Sequence, residues 1–213
     1  MNGRNLLSRN GEFGGTGLSE EQIRLYVLGC IDEVLPGDAV NLGLNYPIGQ
    51  FMNEAAAQLL LTAPLHLVPL EDFSDAVPDV YPDGHGRVEL PEGFLRLAEF
   101  RMRGWRRSVF SPYGRSDSSY ARQSNPYTRG DEFCPAVVLD ERYLYYYALP
   151  EHTEHAIEEA LAVVRIPVGE EYPRRLVAPM AWLAACKALE VMNEAEAAAV
   201  AMGVYERLLA ALA

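Results

Sequence analysis

The chain of 213 residues is 49% hydrophobic and 23% charged, with a formal net charge of -12. That length suits one domain with a sizeable core, or one domain carrying a large insertion, and leaves little room for two independent ones. No apolar run approaches the ~20 residues that span a bilayer, and so acidic a chain repels phosphate polyanions. A membrane-spanning protein and a stable nucleic-acid binder are the classes set aside.

The first seventeen residues, MNGRNLLSRNGEFGGTG, are rich in Gly and Asn and lack an apolar period, which predicts a flexible arm over 1–17. They also lack the apolar core of a secretory signal, so export by that route is not expected. Order is predicted from Ser19: in SEEQ, Ser19 and Gln22 form a capping box, and Ile23, Val27, Cys30, Ile31 and Val34 recur on one helical face until Pro36-Gly37 stops the helix. A second helix starts near Pro47 and runs to the break at Pro64, with Phe51, Met52, Ala55 and Leu59 facing the first.

From about Leu70 the texture turns acidic and rich in breakers, ending in the turn-forming pair Asp83-Gly84. Strands follow. Val88 and Leu90 alternate with Arg87 and Glu89; after Pro91-Glu92-Gly93, Ala98, Phe100 and Met102 take one face and Glu99, Arg101 and Arg103 the other. On that parity Arg96 points inward and needs a partner. Residues 111–135 show no period and many turn formers, the mark of a long polar loop that is functional or disordered. AVVLDERYLYYYALP reads as a hairpin turning near Asp140-Glu141, with Tyr143, Tyr145 and Tyr147 on one face. EHTEHAIEEALAVVRIPV reads as a short helix followed by a strand.

Pro173 opens a helix to about Met192, in which Ala181, Ala184, Ala185 and Ala188 form a small-residue surface. Asn193 with Glu196 makes a second capping box, and Val200, Val204 and Leu208 carry the apolar stripe of a last helix. Helices, then strands, then helices predict an α+β fold: a single domain over 18–213 whose terminal helices (18–70 and 173–213) bundle together around an inserted antiparallel β region at about 80–168.

Chemistry is sparse. His152 and His155 in EHTEH are three apart, but the pattern is HxEH rather than HExxH or HxxEH, and an exposed helix start after Pro150 explains the acids. GRSDS, from Gly114 to Ser118, misses the second glycine of a nucleophile elbow around Ser116. GEFGGTG has no GK[ST] after it and no strand before it, so it is neither a P-loop nor a dinucleotide fingerprint. His66 and His85 stand alone. The three cysteines, Cys30, Cys134 and Cys186, are far apart and read as buried, reduced thiols of a cytoplasmic protein. No cofactor or metal is expected. A small hydrolase using Ser116, or using His152, His155 and Glu154 with a metal, remains an alternative, as does a generic protein-binding module.

Charge is the more informative signal. Seventeen of the eighteen basic residues are Arg, and seven of these fall in residues 101–130 against the single Asp117, while both flanks are acidic. Arg presents a planar fork suited to carboxylates and phosphates. The candidates for a protein interface are Arg101, Arg103, Trp105, Arg106, Arg107, Arg115, Arg122 and Arg129, with the row Tyr143, Tyr145 and Tyr147. Trp105 and the tyrosines could stack bases, but such aromatics more often pack across strands or at oligomer contacts.

Three stretches, VELPEGFLRLAEFRMRGW, CPAVVLDERYLYYYAL and YPRRLVAPMAWLAACKALEVM with its ending YERLLAALA, resemble the head-to-tail adaptor proteins of short-tailed bacteriophages, the tail tubular protein A type also found in Bacteroides phages and prophages. The similarity runs over about 120 residues from Val88 onward, on short motifs; the Arg- and Tyr-bearing loop at 111–135 matches in polarity rather than in sequence. The resemblance implies a virion structural protein without catalytic activity. Copies would assemble as a ring, typically dodecameric, between portal and tail, after residence in the bacterial host cytoplasm. A heterologous ring needs two complementary patches on each copy, and a basic strip with acidic flanks supplies them in kind.

Overall fold

The computed structural model of the chain describes residues 6–8, 11–12, 15–35, 37, 46–81, 85–123, 125, 127–147, 149 and 153–212. The fold is mixed α+β, and the chain divides into two units: residues 1–7 with 70–164, and residues 8–69 with 165–213. The N-terminal segment holds two short strands, β1 (Leu6–Ser8) and β2 (Gly11–Glu12).

The unit of 8–69 and 165–213 is helical. α1 (Glu20–Val34) opens on the expected capping box: Gln22 N donates to Ser19 Oγ at 3.3 Å and Ser19 N to Gln22 Oε1 at 2.9 Å. Glu20 and Glu21 sit in the first turn, where the helix dipole favours negative charge. Ile23, Val27, Cys30 and Ile31 are buried as their spacing requires. The helix ends at Val34; Pro36 lies outside the described residues, and Gly37 adopts φ 97. α2 (Ile48–Thr62) has Pro47 as its N-cap. Its buried face, which includes Phe51, Met52, Ala55 and Leu59, packs chiefly on a later helix and only lightly on α1, so the expectation that α2 faces α1 is corrected.

That later helix is α4 (Val177–Val191), whose residues are buried on nearly every side. Ala181, Ala184, Ala185 and Ala188 are each 0% exposed, and such small side chains let neighbours approach closely enough for one helix to touch α1, α2 and α5 (Ala195–Ala210). Asn193 is not the N-cap of α5. It adopts φ 63 and closes α4, with Glu194 N donating to the Leu189 carbonyl at 3.0 Å and Asn193 N to that of Glu190 at 3.1 Å. This is a Schellman closure, in which Asn tolerates the left-handed conformation that most side chains avoid. The face of α5 is also rotated from expectation. Ala197, Ala198, Ala201 and Tyr205 are buried while Val200 is 56% exposed, because close packing selects the alanines over the larger Val.

Ahead of α1 the backbone is seated on the loop before α4. Gly17 N donates to the Glu170 carbonyl at 3.2 Å and Thr16 Oγ1 to that of Gly169 at 3.0 Å. A Cβ on Gly15 would collide with the Glu170 carbonyl, so glycine here serves close backbone approach.

The unit of 1–7 and 70–164 is built on two sheets. In the first, β10 (Ile157–Val164) lies between β3 (Leu70–Asp72) and β6 (Phe94–Met102), with β1 on the far side of β3, all antiparallel. In the second the order is β4 (Asp79–Val80), β5 (Gly86–Glu89), β9 (Tyr143–Tyr146), β8 (Val137–Asp140), β7 (Tyr113–Gly114). β7 runs parallel to β8, so the β region is not wholly antiparallel. The hairpin of β8 and β9 turns at Glu141-Arg142, with Asp140 opposite Tyr143. The chain crosses from the second sheet to the first at Pro91-Glu92-Gly93, where Gly93 takes φ 75. In β6 the register shifts at Ala98, which is skipped between the pairs Glu99–Leu161 and Leu97–Ala162. Leu97 and Ala98 are therefore both buried, strict alternation is broken, and Arg96 is half-buried rather than driven fully inward.

No helix precedes β10 among the described residues. Glu154 to Ala156 are irregular and the strand begins at Ile157. Its alternating and then continuous apolar residues suit a strand paired on both edges better than a helix.

Candidate functional site

The β6 arginines project from a sheet whose next strand supplies acid. Arg101 Nη2 donates to Glu159 Oε1 at 3.0 Å and its Nε lies 3.3 Å from Glu158 Oε2. Arg103 pairs with Glu154 just before β10. Antiparallel register does this: β10 places Glu159 directly opposite Arg101. Arg115 meets Asp140 of β8 at 2.7 Å. Three of the seven expected basic contacts are thus satisfied within the chain.

Trp105 leaves the set of accessible residues. It is 4% exposed, with its ring edge-on to Phe100 at 5.9 Å, because Gly104 at φ 92 turns the backbone after β6 and folds the indole back onto the sheet. The tyrosine row splits too. Tyr143 and Tyr145 share a half-exposed face, where the Arg87 guanidinium sits 4.1 Å from the Tyr143 ring centroid and Arg87 Nε donates to Asp79 Oδ2 at 2.9 Å. Tyr147 lies past the end of β9 and is buried, stacked on His85, which in turn stacks on Tyr81. These are packing contacts.

Arg106, Arg107, Arg122 and Arg129 remain. Among the described residues no carboxylate lies within ion-pair distance of any of them. They belong to a loop with internal order: β7, then α3 (Ser118–Gln123), which opens with Asp117 Oδ1 accepting from Ser119 N at 2.8 Å. Asp131 Oδ1 accepts from Phe133 N at 3.0 Å and Cys134 N at 2.8 Å. Such side-chain turns replace the ladder bonds that a loop lacks. The same loop exposes Phe110 (52%), Tyr113 (38%), Tyr127 (96%) and Phe133 (60%). None of these four stood out in the sequence. The available signal was aromatics in a stretch with no period, where no buried face claims them.

The hydrolytic candidates are not brought together. Ser116 is exposed in the turn between β7 and α3. His152 lies outside the described residues. His155 Nδ1 is 2.7 Å from the Tyr146 hydroxyl, a hydrogen bond whose donor depends on the imidazole tautomer; burial pushes the phenol pKa up and lowers that of the imidazole, which keeps both groups neutral. Tyr146 reaches this position across Gly86, where any Cβ would strike the phenol. His66 is exposed. Among the described residues no group of three or more His, Cys, Asp or Glu could hold a metal ion, and no helix is long and apolar enough to cross a membrane.

The cysteines also divide. Cys30 and Cys186 are buried, and burial raises their thiol pKa to about 12 and about 11. Cys134 is exposed, which corrects the expectation of three buried thiols; its loop has no core to receive it. The chain matches no protein-family model and no curated protein.

Proposed function

We propose that the chain is a virion structural protein, a head-to-tail adaptor whose copies form a ring between portal and tail, and that the loop of residues 106–133 is one of its docking faces. One observation carries the interface reading: this loop exposes four large aromatics beside four arginines that have no acidic partner among the described residues. Aromatic residues and Arg are the types enriched at the energetic centres of protein contacts. The rest of the chain is acidic, so a neighbouring copy carries carboxylates that such a face fits, as a heterologous ring requires. The adaptor identity itself rests on the resemblance of the strand and helix motifs from Val88 onward. On this reading the protein acts without cofactor, membrane or stable nucleic-acid contact, and resides in the host cytoplasm before assembly into the virion.

Electron microscopy of the protein mixed with its cognate portal tests the reading. A closed ring of added density at the portal vertex is expected, and Arg106→Glu with Tyr127→Ala should reduce its occupancy at least tenfold. A wild-type protein that fails to associate with the portal would overturn the adaptor reading. Association unchanged by the double variant would overturn the assignment of the loop.

A further inference from the structure

Part of that loop borders an open cavity of about 240 Å³ whose wall includes Arg122, Arg129, Thr128, Ser119, Asp131 and Cys134. The arginine-bearing wall is held by its own bonds. Gln123, 7% exposed, accepts from Gly130 N through Oε1 at 3.2 Å. Thr128 Oγ1 donates to the Arg122 carbonyl at 3.0 Å, and the Asn125 carbonyl accepts from Arg129 N at 3.0 Å. Gly130 lets this turn close, because a Cβ there would press on the Cys134 carbonyl.

Two arginines, Arg122 and Arg129, therefore line one small cavity, and neither has an acid within ion-pair reach among the described residues. The cavity does contain one carboxylate, Asp131, but its Oδ1 is engaged by two backbone N–H groups. The formal charge of the wall is thus one positive unit in excess. A single carboxylate balances it; a phosphate dianion would overshoot beside Asp131, in a chain that is already at -12. Size points the same way. The cavity is below the ~300–1,000 Å³ of sites that enclose drug-sized ligands, and suits an acidic side chain or a short free acid. Arg supplies the planar fork that pairs with a carboxylate through two parallel bonds.

We infer that this cavity is a carboxylate-binding site, taking either an Asp or Glu side chain of a protein partner or a small free monocarboxylic acid. The inference shares Arg122 and Arg129 with the proposed docking loop but does not require the ring, since it is tested on the isolated protein.

Cys134 lines the same cavity and is exposed, so it reports occupancy. The rate of its alkylation by neutral iodoacetamide should fall at least fivefold, saturably, on titration with propionate or with the blocked peptide acetyl-Gly-Glu-Gly-amide at constant ionic strength. Arg122→Gln with Arg129→Gln should abolish that protection while leaving the unprotected rate within twofold. Stronger protection by the peptide assigns the site to a protein partner, and stronger protection by propionate to a free acid. The inference is overturned by non-saturable protection, by inorganic phosphate protecting as well as propionate, or by a folded double variant that is protected like wild type. Should the double variant not fold, the single variants Arg122→Gln and Arg129→Gln decide, each expected to weaken protection at least threefold.

Discussion

Arg101 on β6 and Arg103 one residue past its end face carboxylates from residues 154–159, whereas Arg106, Arg107, Arg122 and Arg129, farther along the chain, face none among the described residues. In sequence these six belong to one basic stretch. The difference lies in what runs alongside: β6 has an antiparallel neighbour whose register brings Glu159 opposite Arg101, whereas the loop's one strand, β7, pairs with β8 over two residues and brings Asp140 to Arg115 alone. A run of like charge in a sequence therefore becomes a surface patch only where the fold offers no strand to neutralise it. The part of this run that does is the loop.

The strongest test of this division lies at its seam. Trp105→Ala should destabilise the protein by about 3–5 kcal/mol, since it empties a buried site against Phe100; urea unfolding would measure it. A loss below about 1 kcal/mol would mean that the seam is misplaced and that the indole belongs with the loop. Next in size, Arg101→Ala should cost about 1 kcal/mol in the same assay, a modest figure because the pair is a third exposed and solvent screens it.

A smaller effect is expected from pH. The imidazole of His155 is held below its ordinary value of ~6.5 by burial, so the unfolded chain binds that proton more readily than the folded one. Its contribution is complete above pH ~6.5 and declines as pH falls from there through the lowered folded value. His155→Gln should flatten that part of the stability profile; an unchanged profile would detach His155 from Tyr146. Least of all, Arg106→Ala and Arg107→Ala should leave stability within about 0.5 kcal/mol of wild type, as surface changes without partners do. In the folded protein a thiol reagent should label Cys134 alone, with Cys30 and Cys186 reacting only on unfolding.

The legible parts of the fold are those where one local rule decides. The Ser19 capping box, the face of α1 and the hairpin of β8 and β9 follow from neighbours in sequence. What escaped depends on distant residues. Asn193 followed by Glu196 satisfies the spacing of an N-cap, but the preceding helix needed a left-handed closure and took Asn193 for it. Val200 looks more apolar than Ala201, yet only the alanine fits against the crowded α4. The run from Arg87 to Met102 reads as one interrupted strand pattern, and nothing local reveals that its halves belong to different sheets. Of the candidate site, arginine content was visible and arginine pairing was not, because the counter-charges lie some fifty residues away.

The base of the loop has a consequence for how such a protein can change. Val109 exchanges two backbone bonds with Phe100, and Arg106 N donates to the Glu132 carbonyl at 2.8 Å, so the two ends of the excursion between β6 and β8 are held together at a closed neck. For a loop anchored in this way, doubling the length adds only about 0.6 kcal/mol of closure entropy. Beyond the neck only β7 and Arg115 are tied to a strand, so residues 116–131 form an exchangeable cassette that can be rewritten, lengthened or shortened to meet a different partner while β6, its ion pairs and β7 keep their register.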